Sequence, residues 1–564
     1  MILHDILDDI VSLCRNYPQI PIFLSLAIGY YVGKIKIFGF SLGATASVLL
    51  TAIALGQMDI TITPLIKTVA FALFIFTIGY KVGPHFFGGL KKEGINYIIL
   101  SLFFAVVGLI TAILLGKFFG FDKGTTAGLL GGALTQSSII GTAEGAITKL
   151  SASAAQKTAL TSNIAVAYAI TYIFGVAGLI LFYKIVPRLL KINLKDEAKK
   201  LETQLSGESG TKGETDVFTW NTRPNIRIYR VTHQNIEGKT IQELEDILDD
   251  GVTIEKIKRD NLLIEPTPHI KIQHDDILLI VGNRKKIIDA QNIIGPETDD
   301  PDLTQLTNKM LKICVTKPVA VGKTLGQITN TYCNNCFVIK VTRLGHELPI
   351  KKNLIILNCD ILYLIGLQKN VELFAKKVGY LKQKTHTTDL AMLGLGCFIG
   401  TLLGLITIKL GAIPLTLGIG GGVLLAGLLF GWLRAVHPTF GQIPSSAQWL
   451  LTELGLNLFI ACVGLTAGPR AIHALQTHGA KLFFAGVALT LIPHILGLIF
   501  GRFVLKLNIV LLLGALTGSG TATPSLNVLK DESDSSTPAL GYSIPYAIGN
   551  FVLTIWGTII INFM

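Results

Sequence analysis

Charge is scarce in this sequence. Only 15% of its 564 residues are Asp, Glu, Lys or Arg, half are hydrophobic, and the mean hydropathy is +0.55. An ordinary soluble domain needs more surface charge than that. Seven cysteines, an odd number scattered along the chain, give no disulfide framework. The Cys333-Asn-Asn-Cys336 pair has no second pair and no histidine partner, so it reads as two reduced thiols, not as a metal or redox site. The opening MILHDILDDIV carries acids and no basic n-region, so no cleavable signal peptide is expected. Also missing are a G-x-G-x-x-G between strand and helix, a nucleophile–base pair, a metal-ligand cluster and a T-V-G-Y-G-type filter. These absences argue against a nucleotide-binding domain, an enzyme and a potassium channel, and no cofactor or metal is expected.

What the chain has instead is long apolar sequence. Spans are expected near 14–33, 39–57, 63–82, 95–118 and 159–185, and again near 388–408, 413–433, 446–467, 481–503 and 540–562. The net charge of +12 would suit nucleic acid, but the basic residues gather beside these spans, which suits one face of a membrane. Lys34, Lys36, Lys81, Lys91, Lys92, Lys184, Arg188 and Lys191 outnumber Lys67, Lys117 and Lys123 on the other side. The excess marks the cytoplasmic face and puts both termini outside.

Three blocks follow. Residues 1–190 form a first membrane repeat, 191–223 a polar exposed linker, 224–296 and 297–382 two α/β units, and 386–564 a second membrane repeat. The α/β units repeat without a gap. Gly238-Lys239-Thr240 recurs as Gly322-Lys323-Thr324, Arg259 as Arg343, Asp276-Ile277-Leu278 as Asp360-Ile361-Leu362, Gly282 as Gly366 and Gly295 as Gly379. This pattern resembles the C-terminal subdomain of the regulator-of-potassium-conductance family (RCK-C). The resemblance implies a cytoplasmic module that packs and dimerises, or one that binds an unknown small-molecule regulator.

The membrane halves also match in order. Leu73–Pro84 parallels Leu458–Pro469, G-A-L-T-Q-S at 132–137 parallels G-A-L-T-G-S at 514–519, and Tyr168-Ala-Ile parallels Tyr546-Ala-Ile. Ordered internal matches are the mark of a duplicated transporter. Parity adds a constraint. After four spans only one crossing remains, yet both 124–150 and 159–185 are apolar. The glycine- and hydroxyl-rich stretch 124–150, and its counterpart 509–530, are therefore expected to enter and return as re-entrant hairpins or broken helices. Five spans per half invert the halves, so the hairpin tips would meet from opposite faces. Candidate binding groups are Thr135, Gln136, Ser137, Ser138 and Thr142 on the first hairpin, and Thr517, Ser519, Thr521 and Thr523 on the second. Asn163, Tyr168, Tyr546 and Asn550 lie on the spans that follow, and Arg470 could fork onto a carboxylate. Asn163 reads equally as a packing group, Glu144 as a partner of Lys149, Lys157 or Arg470, and His494 as a satisfied packing histidine at a kink.

Together the paired GALT runs, the G-x-x-x-G-P motifs, the 5 + 5 inverted helical repeats and the central tandem RCK-C units resemble the aspartate:alanine exchanger family of bacterial transporters. The resemblance implies antiport of small carboxylates or amino acids by alternating access without ATP, a homodimer, and the bacterial inner membrane. Two other readings stay open: an RCK-gated cation channel or cation/proton antiporter, and a metabolite-sensing membrane receptor that transports nothing. Neither involves nucleic acid.

Overall fold

A computed structural model describes residues 2–37, 40–41, 43–89, 94–206, 225–248, 252–264, 266–282, 284–300, 303, 311–333, 336–366, 368–382, 387–410, 413–416, 418–437 and 441–564. Lys91, Lys92, most of the expected linker (207–223) and the two asparagines between Cys333 and Cys336 lie outside the described residues. The chain divides into two compact units, Met1–Ala198 with Thr385–Met564, and Lys199–Lys384.

The first unit is helical. Its first half contains α1 (Ile2–Asn16), α2 (Gln19–Val32), α3 (Gly43–Gly56), α4 (Pro64–Gly89), α5 (Ile95–Phe119), α6 (Lys123–Ala133), α7 (Ser138–Thr148), α8 (Ala154–Ile173) and α9 (Leu179–Leu189). A π-helical turn, Phe174–Gly178, joins α8 to α9. A small antiparallel pair, β1 (Lys36–Ile37) and β2 (Phe40–Ser41), separates α2 from α3. Six described helices are long and apolar enough to cross a membrane, and four shorter apolar helices accompany them. At about 1.5 Å per residue, the 14 residues of α2 or α3 reach about 21 Å, short of the roughly 30 Å hydrocarbon core. Length alone therefore does not yield ten crossings.

Helix α10 (Leu194–Ser206) carries the chain from the first unit into the second, so the start of the expected exposed linker is helical with one buried face. Its Leu194, Ala198 and Leu201 recur at helical spacing and are buried. Next come β3 (Asn225–Arg230), α11 (Ile241–Ile247), β4 (Val252–Arg259), β5 (Leu262–Ile264), β6 (Ile277–Gly282) and α12 (Arg284–Ile294). The same order recurs as β7 (Leu311–Val315), α13 (Leu325–Tyr332), β8 (Cys336–Arg343), β9 (His346–Leu348), β10 (Ile361–Gly366) and α14 (Gln368–Val378), closed by β11 (Gly379–Leu381). The sheets run β3-β6-β4-β5 and β11-β7-β10-β8-β9, with every neighbouring pair antiparallel.

The repeated G-K-T is a turn and cap. Gly238 and Gly322 take left-handed φ of 78° and 84°, and Thr240 and Thr324 then close capping boxes with Glu243 and Gln327. The repeated Arg and Asp are a buried fork. Arg259 donates two hydrogen bonds of 2.8 Å to Asp276, and Arg343 two of 2.7 and 2.6 Å to Asp360. Cys333 and Cys336 are joined as a disulfide, in place of the two reduced thiols expected.

The second membrane half comprises α15 (Leu390–Leu405), α16 (Gly418–Val436), α17 (Ser445–Ile499), α18 (Ile509–Ser519), α19 (Thr523–Ser533) and α20 (Pro538–Phe563). Another antiparallel pair, β12 (Thr407–Leu410) and β13 (Ile413–Thr416), separates α15 from α16. The two spans expected at 446–467 and 481–503 are one continuous 55-residue helix, α17, which passes through Pro469 and Pro493. Between those spans the sequence offers helix formers such as Ala471, Ala474, Leu475 and Gln476, and Gly479, the weakest helix former that follows Gly468-Pro469 there, costs only about 1 kcal/mol.

Helix directions position the site. Gly124, Gly128 and Gly132 face the carbonyls of Leu160, Ile164 and Tyr168 on successive turns, so α6 runs with α8. Gly514 and Gly518 face the carbonyls of Pro538 and Tyr542, so α18 runs with α20. Lys123 Nζ donates to Ile561 O (3.1 Å) near the end of α20, while Gln136 Nε2 reaches Asn550 O (3.3 Å) at its middle. The return arm climbs back, and Thr558 Oγ1 donates to Thr142 O (3.4 Å). Thus α6 and α7 form a hairpin whose two ends share one side. The other hairpin opens oppositely: α18 starts beside the first turns of α20, and Glu532 near the end of α19 lies 3.8 Å from Arg188 at the end of α9.

Candidate functional site

Each hairpin turns through a Schellman closure. Gln136 N–H bonds Gly131 O (2.7 Å) and Thr135 N–H bonds Gly132 O (2.9 Å); Ala522 N–H bonds Thr517 O (2.9 Å) and Thr521 N–H bonds Gly518 O (2.8 Å). The left-handed position, usually glycine, is threonine in both, with φ of 54° at Thr135 and 55° at Thr521. A β-branched residue there is strained by about 1–2 kcal/mol. This geometry corrects the register read from sequence. Thr135 corresponds to Thr521 and not to Thr517, and Tyr168 corresponds to Tyr542 and not to Tyr546, each a shift of one helical turn.

The tips bond to each other. Thr135 Oγ1 donates to Gly520 O (3.5 Å), and Thr521 Oγ1 lies 3.4 Å from Leu134 O and 3.2 Å from Gln136 Oε1. Gln136 Nε2 also lies 3.2 Å from Thr554 Oγ1, which shares a 2.6 Å bond with Ser138 Oγ. Thr142 Oγ1 donates to Thr554 O (2.7 Å). Ser137 Oγ bonds Tyr168 Oη (2.6 Å), and the counterpart pair is Thr523 Oγ1 with Tyr542 Oη (2.8 Å). Tyr172 and Tyr546 pack on those tyrosines, with ring centroids 5.3 and 5.0 Å apart. Asn550 Nδ2 is turned back to Tyr546 O (2.8 Å).

Four candidates lie elsewhere. Thr517 donates within its own helix to Gly514 O (2.7 Å), and Ser519 Oγ pairs with Ser101 Oγ of α5 (3.1 Å). Asn163 Nδ2 donates to Asp122, the cap of α6 (2.8 Å). Arg470 is exposed on α17 and donates to Ala155 O (3.2 Å). Glu144 is buried and pairs with Lys67 of α4 at 2.9 Å, not with Lys149, Lys157 or Arg470. Sequence reasoning missed Tyr172, Tyr542, Thr554 and Thr490, and read His494 only as a packing residue. The first two carried a signal, because Tyr168-Ala-Ile-Thr-Tyr172 recurs as Tyr542-Ser-Ile-Pro-Tyr546.

The electrostatics follow from helix ends. The C-terminal ends of α6 and α18 and the N-terminal ends of α7 and α19 converge at the tips, and the side-chain bonds there run between neutral groups. N-terminal ends favour anions and C-terminal ends favour cations. The arrangement can therefore hold a small dipolar solute without a fixed charge.

Two family models match the chain. One, described as a predicted permease membrane region (Asp-Al_Ex), matches residues 21–188 and 392–562; the other, the TrkA-C domain, matches 226–295. An uncharacterized transporter of Zymomonas mobilis is 35% identical over 570 residues, covering 99% of this chain and 100% of that protein. Uncharacterized transporters of Shewanella oneidensis (36% identical, 97% of this chain, 98% of that protein) and Bradyrhizobium diazoefficiens (37%, 98% and 99%) are also similar. No solved structure matches at a significant level.

Proposed function

The chain belongs to the Asp-Al_Ex family of predicted permeases, and on that premise we propose that it is a secondary antiporter exchanging small carboxylates or amino acids. One observation carries the reading: two helix–break–helix hairpins open towards opposite ends of the helix pair α8/α20 and bond tip to tip. Each arm is 11 residues, about 16 Å, or half a bilayer core. Irregular backbone at that depth is tolerated where it lines a solute path. A carboxylate replaces the tip-to-tip bonds by taking the hydroxyls and the N-terminal ends of α7 and α19.

In this reading the halves are 5 + 5 inverted repeats, with α17 bent at Gly468-Pro469 so that it supplies two of the crossings, the TrkA-C unit and its repeat in the cytoplasm, both termini outside, and the protein a homodimer in a bacterial inner membrane. The hairpins move together against a dimerising scaffold, and residues 224–382 bind a small-molecule regulator. Counterflow in proteoliposomes tests the exchange, with aspartate, alanine, succinate and glutamate as trans-substrates. Accelerated uptake of at least one is expected. No exchange with any of them would favour a non-transporting receptor.

A further inference from the structure

We propose that His494 is a specificity-determining residue that accepts a hydrogen bond from the ammonium group of the transported solute. The inference rests on the transport reading above. His494 lies on α17 with no exposed surface, and its Nδ1 is 2.8 Å from Thr490 O. A carbonyl only accepts, so Nδ1 carries the proton, and in the neutral ring Nε2 is left with a bare lone pair. That nitrogen is buried and has no hydrogen-bond partner. This replaces the satisfied packing histidine expected from sequence.

Nε2 is aimed at the tip of the second hairpin. A Cβ placed on Gly520 would lie 3.2 Å from Nε2 and 3.3 Å from Phe104 Cζ, so an added methyl would press on both by a few tenths of an ångström. Gly520 is the C-cap of α18, and its carbonyl accepts from Thr135 of the other tip. One turn earlier on the same face of α17, Thr490 Oγ1 donates to Ala133 O (3.1 Å), the last residue of α6. A single helix face thus touches the C-terminal ends of both inbound arms. The other neighbours of the imidazole are aromatic: Phe104, Phe182 and Tyr183, at ring-centroid distances of 4.8, 5.7 and 6.0 Å.

The chemistry of this corner selects a cationic donor. Helix C-terminal ends carry partial negative charge, and a lone pair sits beside them with nothing to accept from. The carboxylate-binding groups lie at the opposite poles, on the N-terminal ends of α7 and α19. A solute bearing both an ammonium and a carboxylate satisfies both poles, whereas a dicarboxylate leaves Nε2 unpaired. The spacing of the two Gly-Pro motifs (84 and 469) places Leu109 where His494 stands in the other half. The ammonium reader therefore occurs once per pair of repeats and orients the solute.

The test uses the full chain in proteoliposomes loaded with aspartate, with labelled aspartate uptake competed by unlabelled aspartate or by succinate, the same skeleton without the amine. Alanine and propionate form a second pair. For the wild type we expect succinate to compete at least ~10-fold more weakly than aspartate, a discrimination typical of an unpaired buried polar group. His494→Leu should weaken aspartate at least ~10-fold and leave succinate within ~2-fold; His494→Gln, which restores an acceptor, should recover part of the difference. Should His494→Leu fold poorly, the wild-type ratios and His494→Gln still decide. Equal competition by the amine-bearing and amine-free partners in the wild type, or equal weakening of both by the variants, overturns the role of His494 while exchange itself stands. Absence of any exchange removes the transport reading and this inference together.

Discussion

Lys67 Nζ lies 2.9 Å from Glu144 Oε2, tying the first turn of α4 to the return arm of the first hairpin. The glutamate is buried and its second oxygen, Oε1, has no hydrogen-bond partner. Removing either partner strands the other charge away from water. Lys67→Met or Glu144→Gln should each destabilise the detergent-solubilised protein by about 3–5 kcal/mol, and Lys67→Met with Glu144→Leu should recover most of that loss. Thermal unfolding of the three variants checks it; an additive double variant would mean that the pair is not coupled.

Thr135 and Thr521 hold the same strained backbone conformation and reach across to each other's hairpin. Thr135→Gly and Thr521→Gly relieve the left-handed strain but delete the hydroxyls and loosen the unfolded chain. The opposing terms leave stability within about 1 kcal/mol of the parent. Exchange should nevertheless fall at least ~10-fold, since the deleted groups are those offered to the solute. Unchanged exchange in both would remove the tips from the binding site.

The glycines of the inbound arms test the close approach of backbones. A Cβ on Gly128 would overlap Ile164 O, and one on Gly514 would overlap Pro538 O, neither of which can swing aside. Gly128→Ala and Gly514→Ala should both lower folded yield severely. Gly145, on α7, has nothing within 4 Å of its added Cβ, so Gly145→Ala should be tolerated and should stabilise by about 0.5–1 kcal/mol. Size-exclusion profiles of the three variants, side by side, distinguish the cases.

In the second unit, His274 Nδ1 lies 2.6 Å from Glu237 Oε1, and this hydrogen bond raises the histidine pKa above its ordinary value. A raised folded value means that the contribution is complete below about pH 6.5 and fades as pH climbs through the folded pKa. Resistance of residues 225–382 to proteolysis in the full chain should therefore decline slightly from pH 6 to 8. Glu237→Gln should flatten that slope, and an unchanged slope would refute the assignment.

Much of the layout was legible because it is written in composition. Apolar stretches, a central polar block with a gapless repeat, and glycine- and hydroxyl-rich interruptions each follow from one-dimensional pattern. Register was less legible. Small residues sit one turn apart at Gly128 and Gly132 in α6 and at Gly514 and Gly518 in α18, so residue identity favours setting the GALT runs against each other one turn out, and only the left-handed Thr135 and Thr521 fix the phase. Nothing near Pro469 shows that α17 continues through it, since a proline both ends helices and sits within them. Partner choice was least legible of all. Lys67 meets Glu144 across 76 intervening positions, and the bare Nε2 of His494 exists only because of what surrounds it.

The crossed arms have a consequence for how the chain is made. The return arm α7 rests on α20, which is translated after every other described helix, while the return arm α19 ends beside Arg188, translated long before. Each half supplies part of the other hairpin's surroundings. During synthesis Ser138 and Thr142 of the first hairpin must wait for Thr554, more than four hundred residues on, and loss of α20 would leave that face of the hairpin unmatched.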